Sequence, residues 1–127
     1  FLIFFCFKYF SLKKRVRSFG YAFNGIKILF RYEHNARIHS CVTILVIAAG
    51  IWFNISINEW IAIALACGIV LAAESFNSAI ESLCDLVSPQ QNPIIKKVKD
   101  LAAAAVLFTA IAALIVGCII FIPYIIS

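Results

Sequence analysis

The sequence predicts an all-α integral membrane protein, with a single membrane domain (1–127) of three transmembrane helices preceded by an amphipathic surface helix. Hydrophobic residues make up 64% of the 127 residues and charged residues only 13%, whereas soluble domains contain roughly half and a quarter. A soluble domain of this size could not bury so much apolar surface. The apolar stretches are continuous rather than alternating, which favours helices over the strands of a membrane barrel.

Basic residues occur in only two places. Eight of the 11 Lys and Arg residues precede the first long apolar stretch, and the others form one later cluster at Lys96, Lys97 and Lys99. A domain that binds nucleic acid would spread its charges over a polar surface, so this class of protein is excluded. By the positive-inside rule, we expect the amino terminus and the loop around Lys96 in the cytoplasm and the carboxyl terminus outside.

The amino-terminal part combines a short apolar stretch with an amphipathic segment. In residues 1–7 the apolar stretch precedes the first basic residue, Lys8, which is the reverse of a signal peptide, so we expect no cleavage there. Residues 13–32 show helical periodicity, with one face made of Phe19, Phe23, Ile26 and Phe30. This pattern predicts a helix on the cytoplasmic leaflet, although packing against the rest of the protein would give the same pattern.

Three later stretches are long and apolar enough to cross a bilayer. We predict transmembrane helices at 38–57, 60–86 and 101–126, since about 20 residues span the hydrocarbon core. Trp52 and Trp60 flank the first connection, where their rings suit a membrane interface. The second connection contains SPQQNP, whose two prolines are expected to break the helix, and the lysine cluster.

Five polar residues of the second span share one side of its helix. Their offsets of 0, 3, 4, 7 and 11 correspond to Glu74, Asn77, Ser78, Glu81 and Asp85. Carboxyl groups in or near a membrane are costly and require compensation by protonation, a cation or a basic partner. The pattern therefore indicates a functional site, and the alternative is a polar seam that only fixes subunit assembly.

Two further acids belong to the same membrane face. Glu33 precedes the first span and Asp100 stands at the start of the third, which leaves only Glu59 on the opposite side. Carboxylates and a lysine at such an interface suit a divalent cation bound together with nucleotide phosphates, because Mg²⁺ prefers oxygen ligands.

The motifs of the familiar soluble phosphoryl-transfer enzymes are missing. The sequence contains no GxxxxGK[ST] loop, no kinase HRD or DFG motif and no GxSxG elbow. His34 and His39 do not form HExxH, and we expect them to be interfacial or packing residues rather than zinc ligands.

Two segments carry a specific resemblance. AESFNSAIESLCDLV fits the pattern ExxNxAIExxxD, and KDLAAAAVL fits KDxxxxAVL at the matching distance. With Glu33 upstream, the sequence resembles the prokaryotic diacylglycerol kinase and undecaprenol kinase family over roughly residues 15–126. The resemblance implies a homotrimer in the bacterial inner membrane that transfers the γ-phosphoryl group of ATP, with Mg²⁺, to a lipid hydroxyl.

The resemblance also implies roles for individual residues. Glu74 matches the catalytic base, Glu33 and Glu81 match carboxylates that bind metal and nucleotide, and Lys99 and Asp100 match nucleotide contacts. Asn77 and Asp85 match supporting polar positions of the site. On the surface helix, the positions expected to approach the nucleotide are Lys14, Arg17, Tyr21, Asn24 and Lys27.

The acceptor lipid is less constrained by the sequence. His39 and the segments LVSPQQNP and KDLAAAAVL resemble the undecaprenol kinase branch, and the alternative is diacylglycerol. A more distant alternative is an oligomeric proton or cation pathway along the stripe. Such a path would need polar groups through the outer half of the span, and 60–73 contains no acid. A non-enzymatic membrane scaffold would instead give no phosphorylated lipid.

Overall fold

The computed structural model describes residues 2–3 and 11–127, so the prediction for the apolar stretch 1–7 lies outside these residues except at positions 2 and 3. The described part contains four long helices and no strand. They are α1 (Leu12–Tyr32), α2 (His34–Phe53), α3 (Ile57–Val87) and α4 (Pro93–Ile126). The all-α fold class is confirmed, and α2, α3 and α4 are each long and apolar enough to cross a membrane.

Helix α1 belongs to a compact unit that ends at Tyr32, separate from the unit formed by residues 33–127. The helix begins after Ser11, whose hydroxyl accepts a hydrogen bond from the Lys14 amide. The predicted apolar face is present on α1, and both Phe19 and Phe23 on it are exposed. An exposed apolar face opposite a basic one is the property expected of a helix that lies on a membrane surface.

A tight turn separates α2 from α3. Asn54 adopts a left-handed conformation, with φ 51°, which ends a helix in the way that a C-terminal Gly or Asn does. Ser56 then begins α3 through a capping box, since its hydroxyl accepts from the Glu59 amide and the Glu59 carboxylate accepts from the Ser56 amide. Helix α2 therefore ends at Phe53, before the predicted boundary at 57.

Helix α4 begins at Pro93, well before the predicted start at 101. The Asn92 side chain accepts hydrogen bonds from the amides of Ile94 and Ile95, and proline is favoured at the first helical position because its missing N–H needs no partner there. The lysine cluster was expected in a loop. It lies instead in the first turns of α4, because this proline starts a helix rather than breaking one.

Helices α3 and α4 are longer than a hydrocarbon core requires. Their 31 and 34 residues correspond to about 46 and 51 Å at ~1.5 Å per residue, compared with ~30 Å of hydrocarbon. The two helices run antiparallel, since Asp85 contacts Lys99 at one end and Glu59 contacts Tyr124 at the other. We call these the polar end and the aromatic end. Both helices are therefore several turns longer than the hydrocarbon core is thick.

The aromatic end holds α4 in register with α3. The rings of Phe53 and Tyr124 stack with centroids 5.7 Å apart, and the Tyr124 hydroxyl donates a 2.9 Å hydrogen bond to Glu59. A small buried cluster lies beside them, made of Ile55, Ile63 and Ile120. Because helices are stiff, fixing the register here also determines which residues of α3 and α4 face each other at the polar end.

Candidate active site

The polar stripe predicted on the second span lies along the last half of α3, and its burial decreases towards the polar end. Glu74 is only 2% exposed and Asn77 is 9% exposed. Glu81 is half-buried, and the Asp85 side chain is 68% exposed. The stripe thus leads from an interior carboxylate to carboxylates that water and soluble ligands reach.

Glu74 lies opposite His39 on α2. The imidazole Nε2 is 3.2 Å from the carboxylate Oε1 of Glu74, yet this oxygen has no hydrogen-bond partner among the described residues. The side-chain oxygen of Asn77, one turn further along α3, is also buried without a partner. Buried acceptors of this kind are costly and uncommon outside functional sites. Each of the two side chains therefore has an oxygen that can accept a further hydrogen bond.

Glu33 joins the stripe from the start of α2. It is the N-cap residue of α2, but its side chain does not cap its own helix. Instead, the Ser78 hydroxyl donates a 2.7 Å hydrogen bond to Glu33 Oε1. The carboxylate is thereby held on the side of α2 that faces the stripe.

Glu81 is connected to the buried part of the stripe through Asn77. The Asn77 amide nitrogen lies 3.5 Å from Glu81 Oε1 and donates a long hydrogen bond to it. The amide thus uses one of its two N–H donors on Glu81, while its acceptor oxygen has no hydrogen-bond partner among the described residues. This arrangement favours a cation near the Glu81 carboxylate and a hydrogen-bond donor near the Asn77 oxygen.

The polar end also carries two ion pairs. Lys99 Nζ on α4 lies 2.5 Å from Asp85 Oδ1 on α3, and Lys96 Nζ lies 2.6 Å from Asp100 Oδ2 one turn along α4. The side chain of Asp100 is exposed and contacts Lys96 rather than the stripe. Lys99 and Asp100 are the two nucleotide contacts predicted on α4. Among these ion pairs, only that of Lys99 reaches α3.

A cavity of about 610 Å³ opens beside this lysine, which is within the usual range for small-molecule sites. Its lining consists of the end of α3, the connecting segment and the first turns of α4, including Asp85, Ser88, Gln90 and Lys99. The cavity thus combines a cation, a carboxylate and amide side chains next to the exposed end of the stripe.

The five positions predicted on the surface helix lie on α1 and are exposed: Lys14, Arg17, Tyr21, Asn24 and Lys27. Helical geometry puts them on one side of α1, opposite its apolar face. They belong to the separate first unit, so their role in nucleotide binding stays a prediction.

Two residues acquire a part in the site that sequence reasoning missed. His39 was expected to be an interfacial or packing residue, and Ser78 had no assigned partner. The sequence numbers of the paired residues contain the signal that could have found them. In two adjacent antiparallel helices, the numbers of facing residues have a nearly constant sum, as for Glu33 with Ser78 and His39 with Glu74. Applied to α2 and α3, this rule would have paired them.

Comparison with known proteins identifies the family. Residues 20–121 match the family model described as prokaryotic diacylglycerol kinase. The chain is 36% identical to undecaprenol kinase of Bacillus subtilis over 89% of its own length and 92% of that protein. It is 37% identical to diacylglycerol kinase of Synechocystis, over 87% of the chain and 63% of that protein. The chain is also 25% identical to diacylglycerol kinase of Escherichia coli, over 82% of its own length and 85% of that protein.

The match covers α2 and α3 completely and most of α1 and α4, so it includes every residue of the polar stripe together with Glu33 and Lys99. The chain therefore belongs to the prokaryotic diacylglycerol kinase family and is a membrane lipid kinase.

Proposed function

We propose that the protein transfers the γ-phosphoryl group of ATP to the hydroxyl of a membrane lipid, with undecaprenol as the preferred acceptor. The observation that carries this proposal is the carboxylate of Glu74, which is buried at the inner end of a stripe that leads to water. A general base for a lipid hydroxyl has to lie at such a depth, within reach of the acceptor's head.

The proposed reaction uses the two ends of the stripe for the two substrates. Glu81 stands about 10 Å further along α3 than Glu74, at ~1.5 Å per residue. The lipid oxygen attacks the γ-phosphorus, the bond from that phosphorus to the β–γ bridging oxygen breaks, and ADP leaves. The hydroxyl proton passes to Glu74. Most of the acceleration then comes from alignment and charge neutralisation rather than from covalent chemistry.

We further propose Glu33 and Glu81 as the residues that hold Mg²⁺. Both supply carboxylate oxygens, which Mg²⁺ prefers, and Asn77 orients one of them. The described residues contain no cluster of three or more acidic, His or Cys side chains that could hold a metal by itself. This fits an ion that takes one or two carboxylates from the protein and its other ligands from phosphate and water. When bound, the ion neutralises phosphate charge.

The nucleotide is proposed to occupy the cavity beside Lys99. This lysine offers a mobile cation for phosphate, and the lining amides suit the polar groups of a nucleotide. Asp100 and the α1 residues Lys14, Arg17, Tyr21 and Lys27 are proposed as further contacts. Lys99 is already paired with Asp85, so nucleotide binding exchanges one anionic partner for another.

The membrane arrangement and the assembly are part of the proposal. We expect a homotrimer in the bacterial inner membrane, with the polar end and the amino terminus in the cytoplasm. The large exposed apolar area on α2, α3 and α4 supports contact with lipid and with other copies. A reporter enzyme active only outside the cytoplasm, fused after Ser127, is expected to be active, and fused at the amino terminus it is expected to be inactive. The reverse pattern would overturn the orientation.

The acceptor preference is tested by assaying the two lipids in parallel. The 36% identity to an undecaprenol kinase and the 37% identity to a diacylglycerol kinase do not separate the two, but the near-complete coverage of the undecaprenol kinase favours undecaprenol. Purified protein in detergent receives γ-labelled ATP and Mg²⁺ with undecaprenol or diacylglycerol at equal mole fraction. A higher kcat/KM for undecaprenol is expected. A higher value for diacylglycerol would overturn the acceptor, and label in neither lipid would overturn the proposed function.

A further inference from the structure

We propose that His39 is a positioning residue for the reaction, which donates a hydrogen bond to Glu74 Oε1 and leaves the other carboxylate oxygen free to receive the lipid proton. This inference rests on the proposed function, in which Glu74 is the base. It adds a residue on another helix that determines how the base is presented.

The first support is the geometry of the contact. His39 Nε2 lies 3.2 Å from Glu74 Oε1, with the two side chains 27% and 2% exposed. Ala36, one turn before His39 on α2, is completely buried. A small side chain at this point allows the two helices to approach closely, and the imidazole can therefore reach across the interface.

The second support is that Glu74 needs a donor. Its Oε1 is buried and has no hydrogen-bond partner among the described residues, and a carboxylate at this depth is unfavourable without one. His39 Nε2 is near enough to serve, at 3.2 Å. Catalytic hydrogen bonds are often poorly aligned without substrate and tighten in the complex. A modest rotation of the imidazole, with its proton on Nε2, would complete the bond.

The third support is the effect on the carboxylate itself. A donor on one oxygen fixes the plane of the carboxylate and so determines where the second oxygen points. Misplacement of a base by about 1 Å costs on the order of a hundredfold in rate. A residue that only filled space beside Glu74 would have no such effect. An apolar ring of similar size could then replace it without a loss of rate.

This difference defines the experiment, which compares three variants of the full chain in detergent. His39→Phe keeps a ring and removes the donor, whereas His39→Gln keeps a donor on a side chain of similar reach. His34→Phe is the matched control, since His34 lies on the same helix and is exposed. Thermal unfolding and particle size are measured for each variant alongside kcat and KM for ATP and lipid.

We expect His39→Phe to lower kcat by about ten- to a hundredfold, with both KM values changed by less than about threefold. His39→Gln should recover most of this loss, and His34→Phe should match the parent. In a Glu74→Gln background, His39→Phe should cause no further loss, because it acts through the base. Equal kcat values in His39→Phe and the parent would overturn the inference. A His39→Gln protein that is stably folded but recovers none of the lost kcat would also overturn it.

A spectroscopic measurement covers the case in which His39→Phe does not fold. The chain contains two histidines, so isotope-labelled imidazole nitrogens give one signal set for His39 and an internal reference from His34. The His39 Nε2 resonance should shift in Glu74→Gln while that of His34 stays in place. An unmoved His39 resonance would contradict the inference. Substantial turnover by Glu74→Gln would instead contradict the proposed function, and the two failures are thereby distinguishable.

Discussion

The Ser78 hydroxyl donates a 2.7 Å hydrogen bond to Glu33 Oε1, although the two residues are 45 positions apart in the sequence. The bond ties the first residue before α2 to the middle of the stripe on α3. Glu33 is thereby prevented from turning back to cap its own helix, where a carboxylate would interact favourably with the free amides. Ser78 and Glu81 share one side of α3, so the bond holds the Glu33 carboxylate on the side that carries Glu81.

The first prediction concerns this bond. Ser78→Ala removes the donor that orients Glu33, and loss of such an outer partner typically weakens a metal site about ten- to a hundredfold. The Mg²⁺ concentration for half-maximal activity should therefore rise by about that factor, while activity at saturating Mg²⁺ falls much less. The measurement is a Mg²⁺ titration at fixed, saturating ATP.

The matched control for this change is Ser82→Ala, one turn further along α3. Its hydroxyl is exposed and donates only to the Ser78 carbonyl of its own helix. Its Mg²⁺ requirement should equal that of the parent. An unchanged requirement in Ser78→Ala as well would show that the Ser78–Glu33 bond does not prepare a metal ligand.

A second prediction concerns Lys99. Lys99→Met removes the cation at the nucleotide cavity, and KM for ATP should rise at least severalfold because phosphate loses a charged hydrogen bond. KM for lipid should be unchanged. Thermal stability should change little, since exposed ion pairs such as Lys99–Asp85 contribute little to folding.

Lys97→Met is the control for this prediction, because Lys97 is an exposed lysine two residues away that does not line the cavity. Initial rates over a range of ATP concentrations compare the two variants. Equal KM values for ATP in Lys99→Met and Lys97→Met would argue against a nucleotide contact at Lys99.

A third prediction concerns the packing of α2 on α3 near the aromatic end. A Cβ added at Gly50 would lie 2.6 Å from Cη2 of Trp60 and 3.1 Å from Cδ1 of Ile55, so Gly50→Ala should strain this contact at a cost of about 1–3 kcal/mol. Gly68→Ala meets nothing within 4 Å and gains only helix propensity, about 1 kcal/mol. Thermal unfolding in detergent should therefore occur at a lower temperature for Gly50→Ala than for Gly68→Ala. The opposite order would contradict the packing of Gly50 against Trp60.

The fold could be predicted in type and order but not at its boundaries. Hydropathy predicted the three spans, since α2, α3 and α4 each carry a continuous apolar stretch. The ends depended on local backbone chemistry that hydropathy does not describe. Asn54 ends α2 through a left-handed conformation, and Asn92 with Pro93 begins α4 eight positions before the apolar stretch at 101.

The candidate site was predictable along α3 but not across helices. The helical period alone put Glu74, Asn77 and Glu81 on one side, because the period depends only on spacing. The partners of these residues depend on which faces of two helices meet, which spacing within one helix does not determine. The contact of His39 with Glu74 and that of Ser78 with Glu33 therefore became visible only in three dimensions.

The central claim is that Glu74 is the base of an ATP-dependent lipid kinase, and Glu74→Gln tests it most directly. The amide keeps the size of the side chain and cannot accept the hydroxyl proton, and loss of a general base costs about 10²- to 10⁴-fold. The measurement is the single-turnover rate of label transfer from γ-labelled ATP to undecaprenol, with ATP binding and particle size measured on the same sample. The account predicts a rate lower by that factor, with ATP bound and the protein assembled as in the parent. A Glu74→Gln protein that transfers label at the parent's rate would contradict it.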